Sequence, residues 1–489
     1  MSDNQSRRRF LATSLCLPAL TLISRGSIAA TDEKRYPLAI PELYEGVLSQ
    51  GVRHYRLTAQ SGKSRFLPMQ ETSTIGYNGS YLGPTLRMKK GDRVAIEVTN
   101  NLAEDTTVHW HGMVLPARMD GGPHQVIRAG AQWHSEFEIR QKAATLFYHS
   151  HAHGNTGQQV YRGLAGMLLI DDDESTASGL PNDYGVDDIP LIIQDRDISS
   201  NGEFRYVRFM PEQMVGKHGK TLLVNGGISP VLKARKSLLR LRLLNASNAR
   251  FYRLVFSDNR SFRVVASDGG LLERPVEVNL LDMAPAERYE ILVDVADGKS
   301  VMLQSLAGVG NSGHGPMRMM GMNMPFDILL IDAGEAKKSS ARKFRQLTSH
   351  TNYATADRPR QRRVELQMGM MGAVSGGMMG LNGKAFDMRR IDFTLKKDSL
   401  EFWELVNRTP LVHPFHVHNT QFRIVKRDNT GPFAHELGYK DTVIVRPGER
   451  VGILIPTGPY SDNKNPYMYH CHILEHEDGG MMGQFVVAD

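Results

Sequence analysis

Past its first thirty or so residues the chain sets apolar and polar positions in short alternating or β-branched runs. Arg93-Val94-Ala95-Ile96-Glu97-Val98, residues 237–244, Arg263-Val264-Val265 and Gln484-Phe485-Val486-Val487 are examples, each bounded by Gly, Pro, Asn or Asp. A period of two puts alternate side chains on opposite faces of a strand, and many short strands between turn residues predict sandwiches or barrels. Helical periodicity is scarce. One motif recurs three times. Asn78-Gly79 leads through Pro84, Lys89-Lys90-Gly91 and a strand to Asn100; Asn225-Gly226 leads through Pro230 and Arg235-Lys236 to Asn245; Asn382-Gly383 leads through Lys396-Lys397-Asp398 to Asn407. The Asn-to-Asn spacings are 22, 20 and 25 residues. A hairpin-like element used three times predicts three consecutive Greek-key β-sandwiches, at residues 31–175, 188–335 and 360–489, joined by polar linkers. A length of 489 residues suits three domains of roughly 150.

The N-terminus follows a different pattern. Ser6-Arg7-Arg8-Arg9-Phe10-Leu11 precedes an apolar stretch to about Ile23, then Arg25 and the small residues Ser27-Ile28-Ala29-Ala30. Basic segment, short apolar segment and cleavage-like site come in the order of a secretory leader, so residues 1–30 are set aside from the fold. Paired arginines before Phe10-Leu11 resemble a twin-arginine signal, which implies the twin-arginine export machinery as a partner and the bacterial periplasm as the address. Whole-chain charge is +7, from 59 basic and 52 acidic residues. Removing Arg7, Arg8, Arg9, Arg25 and Asp3 leaves 55 against 51. So small an excess, with no nucleic-acid motif, gives no reason to expect DNA or RNA as a partner. No apolar run is long enough for a spanning helix, so stable membrane insertion is not expected.

Two Cys, 24 Met and 18 His carry the chemistry. Cys16 lies in the leader, which leaves Cys471 alone and no internal disulfide. Four His-x-His pairs stand out, His109/His111, His149/His151, His416/His418 and His470/His472, together with His413, His476 and Met481. On a strand each pair shares a face, so eight imidazoles can converge. Cys471, between His470 and His472, must face the other way, and His413, three residues before His416, can join it. Two sites follow. Cys471, His413 and His476, with the thioether of Met481 or Met482 in reach, form the ligand set of a blue-copper electron-transfer centre. Eight imidazoles without a thiolate exceed the need of one ion, so several ions must share them, and copper is the best choice beside a copper thiolate. A lone His is more often a core residue than a ligand, and that plain reading is kept for His54, His124, His134, His218, His314, His350 and His435. His153 has the parity of a ninth ligand and is read as structural or as a support to the ligands.

These motifs, with Asp120-Gly121-Gly122-Pro123, Gly163-Leu164-Ala165-Gly166 and His476-Glu477-Asp478-Gly479-Gly480-Met481-Met482, resemble the multicopper oxidase family, and within it the bacterial periplasmic copper efflux oxidases, which are laccase-like. The resemblance covers nearly the whole chain past the leader. It implies cupredoxin-like sandwiches and four copper ions. The type 1 ion would sit on His413, Cys471, His476 and axial Met481, and the type 2 ion on His109 and His416. The type 3 pair would sit on His111, His149 and His472 and on His151, His418 and His470. Every family ligand has a counterpart, unlike in copper-free division-associated relatives. Asp120 and Glu477 resemble the family's proton-relay carboxylates; the alternative for both is a solvated loop carboxylate that steadies an imidazole. The implied reaction is four-electron reduction of O2 to water with one-electron donors, by a monomer.

The donor is less directly written. Twelve Met lie between positions 302 and 388, including Met317, Met319, Met320, Met322, Met324, Met368, Met370, Met371, Met378 and Met379. Thioethers favour Cu(I), and Gly interleaved with Met packs poorly as core. Copper efflux oxidases take Cu(I) partly through an Asp and a Met just before the first type 1 His, where this chain has Thr409 and Leu411. Expected reductants are therefore Cu(I), phenolic small molecules, or both. The alternatives are a laccase acting on organic substrates alone, a copper-binding protein without turnover, and a structural role in the envelope.

Overall fold

The computed structural model describes residues 35–308, 322, 324–339, 344–351, 353, 359–369 and 374–489. The predicted leader lies outside them, as do Met317, Met319, Met320, Met370, Met371 and His314. Six sheets form three sandwiches, each closed around its own core. Strands Val52–Ser64, Arg93–Asn100 and Gln132–Glu138 belong to one face of the first; Thr85–Lys89, Ala144–His149 and Ala165–Asp171 belong to the other. Tyr55, Leu57 and Ile96 from one sheet meet Leu86, Leu146 and Leu168 from the other. The second sandwich spans residues 188–332 and takes one further strand, Tyr36–Pro37, which pairs in parallel with Pro230 and Val231. The third spans residues 360–488.

The threefold motif is literal. In each sandwich the strand ending in the second Asn lies parallel to an earlier strand, with Ala59 opposite Asn100, Ile193 opposite Asn245 and Leu366 opposite Asn407. Asn78, Asn225 and Asn382 turn the chain with φ of 57°, 51° and 51°, a left-handed conformation that Asn tolerates. Their side chains accept from the backbone N–H of Thr58, Ile192 and Glu365 at 2.7, 2.7 and 2.8 Å. Asn100, Asn245 and Asn407 each accept from the N–H two residues on, at Leu102, Ser247 and Thr409. Each also donates across the sheet, to the carbonyls of Ile127, Met283 and Val445. A buried amide with all its bonds met holds its loop in one geometry.

The sandwiches are welded together. Phe147, Met167 and Leu169 of the first pack on Ile192, Leu244 and Ala286 of the second. Asp478, on the short helix Leu474–Asp478, accepts from the N–H groups of Thr156 and Gly157, which open the helix Thr156–Arg162 of the first sandwich. Asn248 of the second donates to both Gly157 O and Glu475 Oε1. Among the described residues no helix is long and apolar enough to cross a membrane.

Candidate metal centre

Strands His109–His111 and Ala144–His149 pair antiparallel, with His109 opposite His149, and present their histidines to a chamber between the first and third sandwiches. Strands His413–Val417 and Asp462–Cys471 supply the other half, with His416 opposite His470 and Phe415 opposite Cys471. All eight imidazoles are buried. His149 Nε2 lies 3.4 Å from His111 Nδ1, and His470 Nε2 lies 3.3 Å from both His151 Nε2 and His418 Nε2. The ring of His472 stands 5.1 and 5.3 Å from those of His111 and His149.

Six of the eight rings are hydrogen-bonded from behind. His109, His149, His416 and His470 donate from Nδ1 to the carbonyls of Asp120, Ser150, Asp441 and Cys471 at 2.8–3.1 Å. His418 donates from Nδ1 to Asp120 Oδ2 at 2.7 Å, and Glu477 stands 3.1 Å from His151 Nδ1 and 3.2 Å from His470 Nδ1. These acceptors place the proton on the outer nitrogen and turn Nε2 inward as a lone pair. His111 is reversed: Nε2 faces Asp441 Oδ1 at 3.0 Å and Nδ1 faces the chamber. His109 Nε2, His151 Nδ1, His416 Nε2 and both nitrogens of His472 are buried without a hydrogen-bond partner. Burial, and next the neighbouring imidazoles, holds His109, His111, His151, His418, His470 and His472 well below the usual histidine range. Neutral imidazoles with converging, unpartnered lone pairs are what a metal cluster requires.

The second site lies on the far side of the strand bearing Cys471. His413 Nδ1, His476 Nδ1 and Cys471 Sγ form a triangle with sides of 3.2, 3.3 and 3.6 Å. Burial pushes the Cys471 thiol well above its usual range, and the N–H of Ile473, which donates to the sulfur, offsets only part of that rise. A bound cation would bring it down. Met481 is buried in the same core, and its backbone is tied to both ligand-type residues: its N–H donates to His476 O and its carbonyl accepts from Cys471 N–H. Outward, His413 Nε2 donates to Thr409 Oγ1 at 2.6 Å and His476 Nε2 to the carbonyl of Met214 at 3.0 Å.

Asp120 and Glu477 are each 1% exposed, so neither is a solvated loop carboxylate. Burial raises both well above the ordinary carboxyl range. Gly121 lets the Asp120 turn press on the strand behind His109, since a Cβ there would stand 1.7 Å from Val108 O. His153 is exposed, its ring against Phe386, and takes no part in the chamber. Asp441 was invisible to sequence reasoning. Its side chain steadies His111 and its carbonyl steadies His416, while Arg288 of the second sandwich pairs with it. Burial acts to raise the Asp441 carboxyl, but Arg288 and then His111 bring it well below its usual range.

Multicopper oxidase family models match residues 58–175, 215–315 and 352–489. A multicopper oxidase of Staphylococcus aureus is 39% identical over 444 residues, 90% of each chain. A cell division protein FtsP of Salmonella typhimurium is 36% identical over 492 residues, 99% of this chain and 98% of that one. Among solved structures, the laccase-like multi-copper oxidase CueO of an Ochrobactrum species, described with oxidase activity towards lignin model compounds, is 37% identical. It superposes with a TM-score of 0.83 over 92% of this chain and 100% of that one. Three cupredoxin-like sandwiches, converging imidazoles and these matches together mean that the chain belongs to the multicopper oxidase family, oxidoreductases that use copper and dioxygen.

Proposed function

We propose that this protein takes single electrons from Cu(I), from phenolic donors or from both, and reduces O2 to water in the bacterial periplasm, in the service of copper tolerance. It would act as a monomer exported by the twin-arginine route. In this reading His413, Cys471 and His476, with the thioether of Met481, would hold a type 1 copper, and His109 and His416 would hold a type 2 copper. His111, His149 and His472 hold one type 3 ion, and His151, His418 and His470 the other. The observation that carries the proposal is the set of buried imidazole nitrogens without partners. An unpaired polar group costs ~1–3 kcal/mol when buried, and a bound ion removes that cost. The retained ligand set favours this reading over a copper-free role like that of a division protein.

Bound copper supplies one-electron chemistry at the outer site and enough stored charge at the inner one to carry dioxygen to water. The chain supplies the rest. Cys471 is bonded directly to His470 and His472, so an electron arriving at its sulfur has a covalent route to the chamber. His413 and His476 are themselves fully buried and Thr409 is buried too, so the donor's electron enters from the side of the half-buried Met214, whose carbonyl accepts from His476 Nε2. Asp120 holds His418 with Oδ2 and has Oδ1 buried and unpartnered, free to carry a proton; Glu477 sits between His151 and His470 for the same task.

Met214, Met368 and Met378 are half-buried against the core that contains Cys471 and Met481. Thioethers packed against that core favour Cu(I) as donor. Thr409 and Leu411, in place of an Asp and a Met, favour the second reading, a laccase of organic substrates, in line with the lignin-model activity described for the Ochrobactrum oxidase. The test is copper content with visible and EPR spectra after loading under low oxygen, then oxygen uptake with Cu(I) and with a phenol. About four coppers, a blue thiolate band and uptake are expected. Absence of uptake by fully loaded protein would overturn the oxidase.

A further inference from the structure

We propose that the indoles of Trp110 and Trp133 form a relay that carries oxidising equivalents out of the histidine chamber to the surface when reductant runs short. The inference rests on the oxidase reading above. Trp110 lies between His109 and His111, so its side chain leaves the opposite face of the same strand and enters the core of the first sandwich, fully buried. Its ring stacks on Trp133 at 6.3 Å and 14° between planes. Trp133 is half-buried on the strand Gln132–Glu138, so part of its ring meets water. The pair spans chamber to surface in two steps.

The surroundings select the indoles. Tyr148 sits opposite Trp110 in the sheet, 6.0 Å away ring to ring, and Tyr77 is 5.2 Å further on. A phenol is easily oxidised only if a base takes its proton. Tyr148 donates to the Pro84 carbonyl and Tyr77 has no partner, so neither phenol faces a base that would take its proton. An indole can lose its electron first and its proton later. Trp110 Nε1 is buried without an acceptor, so the positive charge left on its ring is not trapped there by proton loss and passes to Trp133.

The balance is one electron per event. When dioxygen has been taken up but the donor has delivered too few electrons, one electron leaves Trp133, crosses Trp110 and reduces the chamber's metal. Trp133 releases its Nε1 proton to water and becomes a neutral radical. A one-electron reductant in solution, a thiol or phenol, returns the electron while water returns the proton, and only the N–H bond breaks and reforms.

The experiment mixes copper-loaded protein, reduced with one electron fewer than the four that dioxygen needs, with oxygen and no further donor, freezes it within milliseconds and records EPR with ring-deuterated tryptophan. In parallel, peptide mass spectrometry follows donor-limited turnover in the presence of catalase. An indole radical, and oxygen adducts on Trp133 but not on Trp403, the third and fully buried Trp, are expected. Trp133→Phe should keep its initial rate at saturating donor, lose the surface radical and inactivate after several-fold fewer turnovers at limiting donor. Oxygen uptake with no indole radical, or equal adducts on Trp133 and Trp403, would overturn the relay and leave the oxidase standing. No uptake at all would overturn the oxidase reading, and the relay with it. If Trp133→Phe does not fold, the radical and the adducts on the unaltered protein decide.

Discussion

Arg288 of the second sandwich grips Asp441 of the third through two bonds of 2.7 and 2.5 Å, while the same carboxylate receives His111 Nε2 at 3.0 Å. A domain that supplies no imidazole to the chamber thereby sets the orientation of one. Arg288→Met leaves a buried carboxylate uncompensated and should cost about 3–5 kcal/mol. Urea unfolding would read that loss, and copper analysis should find the histidine chamber under-filled. Arg288→Lys keeps the charge but not the fork, so an intermediate loss is expected.

Thr409 offers His413 a neutral hydroxyl oxygen as acceptor. Thr409→Asp would substitute a carboxylate, which favours the more positively charged oxidised centre. A bond stronger by about 1 kcal/mol corresponds to a type 1 potential lower by about 40 mV for one electron. A redox titration of the blue band measures it. A rise would contradict the assignment of His413 as a ligand through Nδ1.

Cys471→Ser should abolish the blue band and oxygen uptake with every donor. Circular dichroism should be unchanged, because the side chain is small and its neighbours are buried core. Retained colour would exclude Cys471 as the type 1 ligand.

Met368, Met370 and Met371 changed together should depress Cu(I) oxidation more than phenol oxidation if thioethers deliver the metal. Steady-state rates with both donors make the comparison, and equal losses would remove the Met segment from the donor route.

A buried network of Arg240, Glu290, Arg242 and Asp188 links the second sandwich to Thr145 of the first. Burial acts to raise Glu290, but Arg240 and then Arg242 bring it to about 2, below the ordinary 4.5. A carboxyl group whose pKa is lower folded than unfolded stabilises the fold fully above the unfolded value. The contribution, at most on the order of 3 kcal/mol, should fade as pH falls from 4.5 towards 2. Thermal unfolding between pH 7 and pH 3 would show it, and Glu290→Gln should flatten that part of the profile while lowering stability at pH 7.

The histidine pairs were legible because a strand's period of two is short-range: His109 and His111 share a face whatever else the chain does. The same parity put Cys471 on the other side of its strand. The repeated Asn-Gly turns were legible for a similar reason, since each Asn bonds within its own unit. Asp441 and Arg288 were not, because their partners lie 330 and 153 positions away and no spacing marks them. One local trace exists. Gly112, directly after His111, leaves room for the pair, and a Cβ there would stand 2.6 Å from Asp441 and 2.7 Å from Arg288. The burial of Asp120 and Glu477 was equally hidden, since polar loop sequence does not reveal what packs over it. Tyr36–Pro37 joins the second sandwich although it precedes the first, a crossing that local pattern cannot signal.

His151 and His470, 319 positions apart in the chain, approach to 3.3 Å. No segment shorter than residues 109–472 contains all eight imidazoles, so no folding intermediate with an undocked third sandwich has a complete inner ligand set. The penalty for closing so long a loop grows only logarithmically with its length, a cost that the packing between sandwiches offsets. In the proposed reading, copper at the inner set would bind the assembled state and deepen its stability by mass action. Loading of the inner cluster is thus a readout of correct assembly: a truncated, nicked or misdocked chain could fill the outer site of its third sandwich and turn blue, yet have nowhere to reduce oxygen.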